Sequence, residues 1–195
     1  MSAVVLQKTY SAPAVSKTEI LRYAGVKEST PEIDLLLDEC LQETQNAFHY
    51  RVCYALFPLA YHNGEVDLGF TKVRSKALEK NLDGCQQCIV FCATVGVEID
   101  RLIAKYSVLS PTKALLLQAL GAERIESLCD VFGKDLADTY QIVKPRFSPG
   151  YGDLPVQLQE NIISQLQTYK RIGVGLSQSL LMSPSKSVTA IIGIA

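Results

Sequence analysis

The chain has 195 residues, 48% of them hydrophobic, with 19 Lys and Arg against 20 Asp and Glu. That length suits a single domain spanning residues 1–195, able to bury roughly 70% of the surface its unfolded chain exposes. The even charge balance leaves no field of one sign to gather DNA, RNA or an anionic membrane.

The first residues, Met1 to Lys8, lack the basic start and apolar run of a signal peptide. No window nears the roughly 18 uncharged apolar residues of a membrane span. A soluble, cytoplasmic protein with neither nucleic acid nor membrane as partner is therefore expected.

In chain order, a strand is predicted around Val4–Lys8, then a helix over Lys17–Tyr23 that Ser16 caps and Gly25 ends. A second helix starts at Thr30-Pro31-Glu32, with proline at its first position and Ile33, Leu36, Leu37, Cys40 and Leu41 at helical spacing. Tyr50–Ala60 is rich in strand formers, and Asn63-Gly64 between it and Glu65–Leu68 signals a hairpin. Gln87–Val95 carries the apolar run Cys88-Ile89-Val90-Phe91-Cys92-Ala93 between Gly84 and Gly96, the pattern of a fully buried strand.

A helix follows over Glu98–Tyr106, then a longer one opened by Ser110-Pro111 and running through Leu115, Leu116, Ala119 and Leu120 toward Asp135. Gly121 inside it costs about 1 kcal/mol of helix propensity against alanine, which implies a close neighbour at the backbone. Turn residues dominate Pro145–Pro155, a last helix is predicted over Val156–Leu166, and the apolar tail Ser187–Ala195 reads as a strand. Helices and strands mix without βαβ alternation, which predicts an α+β fold: one domain with a largely antiparallel, bent sheet flanked by helices.

Six cysteines in a chain of this size without an export signal point to reduced thiols. Cys85-Gln86-Gln87-Cys88 with Cys92 lacks the second ligand pair of a zinc site or a workable fourth ligand for an iron–sulfur site, so buried strand thiols are expected. Neither a phosphate-binding glycine loop nor a nucleophile elbow is present, and no catalytic or metal-ligating residue is assigned.

The most informative segment is Lys144-Pro145-Arg146-Phe147-Ser148-Pro149-Gly150-Tyr151-Gly152-Asp153-Leu154-Pro155. Its prolines and glycines restrict the backbone that carries an arginine fork suited to a carboxylate and a tyrosine ring suited to a flat ligand. From the residues alone, a structural loop and a ligand loop both remain open.

Arg146-Phe147-Ser148-Pro149-Gly150-Tyr151 resembles the Arg-x-x-x-Gly-Tyr motif of the activation domain of vitamin B12-dependent methionine synthase. Met182-Ser183-Pro184-Ser185-Lys186-Ser187-Val188-Thr189-Ala190-Ile191-Ile192-Gly193 is similar to that family's closing segment, and Gly121-Ala122-Glu123-Arg124-Ile125-Glu126 to its acidic helix. The resemblance covers Leu115–Ala195. The chain departs from the family in having no tryptophan, where the fused enzymes open with an aspartate-tryptophan segment.

The resemblance implies a methionine synthase activation domain-like fold with S-adenosylmethionine as ligand. It also implies a site of Arg146, Phe147, Pro149, Gly150, Tyr151 and Glu126, with Glu123 as the rival acid one turn earlier. The implied role is a stand-alone reactivation subunit that presents the ligand's methyl group to cobalamin during reductive remethylation, an accessory to a methyltransferase. Cobalamin would be carried by a methionine synthase subunit or another corrinoid protein, with a flavodoxin- or ferredoxin-type electron donor as a further partner. The alternative is a scaffold subunit of a corrinoid methyltransferase that has lost S-adenosylmethionine.

Overall fold

The computed structural model describes residues 3–195. Its elements run β1 (Leu6–Thr9), α1 (Lys17–Tyr23), α2 (Pro31–Thr44), β2 (Arg51–Pro58), β3 (Ala60–His62), β4 (Glu65–Asp67), β5 (Lys72–Val73), α3 (Lys76–Asn81) and β6 (Gln87–Thr94). They continue with α4 (Glu98–Leu109), α5 (Pro111–Ala137), α6 (Leu158–Leu166), α7 (Thr168–Ile172), β7 (Gly175–Leu176), β8 (Met182–Ser183) and β9 (Ser187–Ile194). The α+β class and the antiparallel sheet are as the sequence predicts.

The organising element is a four-stranded antiparallel sheet in the order β1-β2-β6-β9. Central β6 is apolar along its length because both of its faces are covered. Ile89, Phe91 and Ala93 enter the cluster formed with α1, α2, α4 and α5, while Cys88, Val90 and Cys92 enter the cluster formed with α3, α6 and α7. A strand buried on both sides gains nothing from polar alternation.

All six cysteines are free and buried. Burial pushes the thiols of Cys53, Cys88 and Cys129 up to about 12, and that of Cys92 well above its ordinary value. They stay protonated and act as small hydrophobes.

The Asn63-Gly64 turn is present with both residues at positive φ, 50° and 74°. Its strands differ from the expectation, however. The turn joins the short β3 to β4, whereas Arg51–Pro58 belongs to the central sheet between β1 and β6. Tertiary pairing over eight residues with β6 and four with β1 outweighs the local hairpin, which keeps only three residues a side.

Two short helices, α3 and α7, escape the periodicity reading because six and five residues make too few turns for a pattern. The last predicted helix begins at Leu158 instead of Val156; Pro155–Gln157 form a turn that feeds it. The N-terminal strand is likewise displaced, to Leu6–Thr9.

Gly121 has the close neighbour its position implied. A Cβ there would lie 2.9 Å from Lys186 Cε and 3.2 Å from Ile99 Cγ1, so the bare backbone lets the β8–β9 connection and α4 close on α5. Lys186 then donates to Gln118 Oε1 at 2.7 Å.

Candidate ligand site

The segment that carries the arginine motif enters as a partial fifth strand. Ile142, Lys144 and Phe147 donate to Ala195, Gly193 and Ile191 at 2.8–2.9 Å, so residues 142–147 run along the outer edge of β9. Pro145, which has no N–H to give, falls between bonded positions. Beyond Phe147 the chain leaves the edge and closes on itself: Tyr151 donates to Ser148 O, Gly150 to Leu154 O and Leu154 to Tyr151 O.

Asp153 ties this loop down. Its carboxylate accepts from Ser75 Oγ at 2.5 Å and from the backbone N–H groups of Lys76 and Ala77 at 2.8 and 3.1 Å. Those bonds hold its carboxyl below the usual carboxylate range. It thus caps α3 while fixing the loop, a role the sequence reading missed because α3 itself was missed.

Between this loop, α5, α6 and β9 lies a cavity of about 480 Å³. Glu126 lines it from α5; Pro145, Arg146, Phe147, Ser148, Pro149 and Tyr151 from the loop; Gln159 from α6; and Met182, Ser187, Val188 and Thr189 from the closing segment. Five of the six residues named from the resemblance therefore meet on one wall system. Gly150 supplies the turn at φ 91° and not the wall. Tyr151 is 68% exposed at the cavity and sets its ring edge-on to Phe147, centroids 6.4 Å apart.

Arg146 is held by two acids one helical turn apart. Its Nη2 donates to Glu126 at 2.5 Å and its Nη1 to Asp130 at 2.7 Å. Burial opposes its charge, but Asp130 and Glu126 more than compensate and keep its pKa above the ordinary value. Asp130 was missed in the sequence; its spacing of four from Glu126 on a helix is the signal that could have found it.

Glu123 is not available as the rival acid. It is 3% exposed and locks Arg124 through two bonds of 2.5 Å, while also accepting from Ser16 N–H and Ser127 Oγ. Arg124 in turn donates to the carbonyls of Pro13 and Ala14 at 2.7 and 2.8 Å. This buried pair fastens the segment before α1 to α5. Among the described residues, no group of three or more His, Cys, Asp or Glu could hold a metal ion, and no helix is long and apolar enough to cross a membrane.

No protein-family model matches the chain, and no curated protein does. Among solved structures, it is similar to the crystal structure of the MetH reactivation domain bound to AdoHcy, with a TM-score of 0.67 and 16% sequence identity over 97% of this chain and 78% of that one. The likeness shows that the chain has the fold of the methionine synthase reactivation domain.

Proposed function

We propose that this protein binds S-adenosylmethionine in the cavity beside Arg146 and presents its methyl group to cobalamin on a partner during reductive remethylation. The observation that carries the reading is the pairing, in one cavity, of a guanidinium and an acid with flat ring surfaces. Arg146 and Glu126 suit the carboxylate and ammonium of an amino acid, and Phe147 and Tyr151 suit a sulfonium nucleoside. The volume of about 480 Å³ lies within the roughly 300–1,000 Å³ usual for small-molecule sites. The solved MetH reactivation domain that the chain is similar to holds AdoHcy, the demethylated form of this ligand.

When bound, S-adenosylmethionine supplies a methyl group to the reduced cobalt of a corrinoid. The chain's own part is orientation. Glu126 and Asp130 keep the Arg146 fork in place, and a bound zwitterion would take one of its bonds with its carboxylate while offering its ammonium to the acids. Pro149 and the self-closed turn after it limit the motion of the loop. No side-chain acid or base is required. Exposed Tyr151 marks the side on which a cobalamin-binding methionine synthase subunit or another corrinoid protein would dock, with a flavodoxin- or ferredoxin-type protein as electron donor.

Calorimetric titration of S-adenosylmethionine tests this. Arg146→Ala should weaken binding at least about a hundredfold, which is ~2.7 kcal/mol. A second reading, a corrinoid-protein scaffold without S-adenosylmethionine, draws on the double engagement of Arg146 by its own acids. No heat from the wild type, with or without a corrinoid partner, would decide for the scaffold.

A further inference from the structure

We propose that Gln159 is a specificity-determining residue that reads the exocyclic amino group of the ligand's purine; the inference rests on the S-adenosylmethionine reading. Gln159 stands in the first turn of α6, lines the cavity, and is 7% exposed. Its Oε1 is buried with no hydrogen-bond partner among the described residues. Buried polar oxygens are almost always bonded, so an orphan in a cavity wall points to a donor that arrives with the ligand.

The neighbouring wall supports an aminopurine. Strand β9 turns the N–H and C=O of Ile191 outward to Phe147, and the carbonyl of Gly193 outward to Lys144. By the alternation of an antiparallel ladder, Thr189 also turns its N–H and C=O away from β6. The covering segment has by then left the edge, and Thr189 lines the cavity.

The two faces of β9 would receive the two ends of such a ligand. Val188, Ala190 and Ile192 face the α5 side, where Arg146 meets Glu126 and Asp130; Ile191 faces the α6 side, and Thr189 shares its parity. An aminopurine offers an acceptor ring nitrogen and two amino hydrogens, one for a strand carbonyl and one for Gln159 Oε1. A 6-oxopurine would set its oxygen against Oε1, and a proton could come between them only if the amide turned its Nε2 toward the ligand.

The test is titration of S-adenosylhomocysteine and S-inosylhomocysteine into the wild type, Gln159→Leu and Gln159→Glu. The wild type should favour the adenosyl compound by at least about tenfold, because a site built around a hydrogen bond rejects a partner that cannot make it. Gln159→Leu should narrow that preference severalfold by weakening the adenosyl compound alone, the remainder belonging to the strand carbonyl, and Gln159→Glu, which keeps acceptor oxygens, should retain it.

Equal affinity of the wild type for both compounds overturns the inference without recourse to any variant. Equal weakening of both by Gln159→Leu also overturns it, since the oxygen would then serve another part of the ligand. If the wild type binds neither compound, the S-adenosylmethionine reading falls and this inference with it. Adenosyl binding that is lost in Arg146→Ala but unchanged in Gln159→Leu sinks the inference alone.

Discussion

At Gly193 a missing side chain decides whether the sheet can be covered. A Cβ at that position would lie 2.8 Å from Cys85 Sγ and 2.9 Å from Leu82 Cδ2, with Lys144 Cγ at 3.2 Å. Any larger residue there would push back the Cys85 and Leu82 side chains that follow α3 and the Lys144 stem of the arginine-bearing segment. Gly193→Ala is expected to cost about 1–3 kcal/mol through overpacking, seen as a lower Tm. Since Lys144 sits two residues before Arg146, the same variant should also weaken ligand binding in titration. Glu126 is a second test at this scale. Glu126→Gln removes a charge from the Arg146 pair without removing its shape, and should weaken S-adenosylmethionine binding roughly tenfold while leaving the unfolding free energy within about 1 kcal/mol of the wild type.

Helix α5 shows how one element serves two ends of the molecule. Its buried Glu123–Arg124 pair anchors residues 13–16, and one turn further on Glu126 and Asp130 hold the loop arginine. Removing one partner of a buried pair leaves a charge without compensation. Glu123→Ala is therefore expected to destabilise the fold by about 3–5 kcal/mol in urea unfolding, whereas truncation of half-exposed Glu126 costs far less. The loop after β9's covering segment is tied in a comparable way to the start of α3. Asp153→Asn removes the acceptor charge that Ser75 and two backbone N–H groups satisfy. It should loosen the loop and raise the Kd for S-adenosylmethionine while the central sheet stays intact by circular dichroism.

Over the whole molecule, one sheet separates two hydrophobic clusters, and the cavity sits where its edge strand β9 is only partly covered. Asp153 and Asp135 both have carboxyls lowered by the fold, Asp153 first through Ser75 and Asp135 first through Lys8. A depressed carboxyl adds stability that is present above its unfolded value of about 3.9 and is lost as pH falls through the folded one. Tm should therefore be steady from neutral pH to about 5 and fall below about 4. An unchanged Tm at pH 3 would contradict the account. Of this architecture, the sequence by itself determined the elements with enough length to show a period: the buried β6, the long α5 with its glycine, and the strand-forming tail. It also marked the loop from Arg146 to Tyr151, because proline, glycine and arginine carry local meaning wherever they fall. Only the tertiary structure decided that Arg51–Pro58 joins the central sheet instead of the hairpin, that Glu123 is buried against Arg124 while Glu126 reaches the cavity, and that Gln159 has an oxygen with nothing to bond. Strand pairing, burial and hydrogen-bond satisfaction depend on neighbours distant in the chain, and two glutamates three residues apart have the same local chemistry until those neighbours arrive.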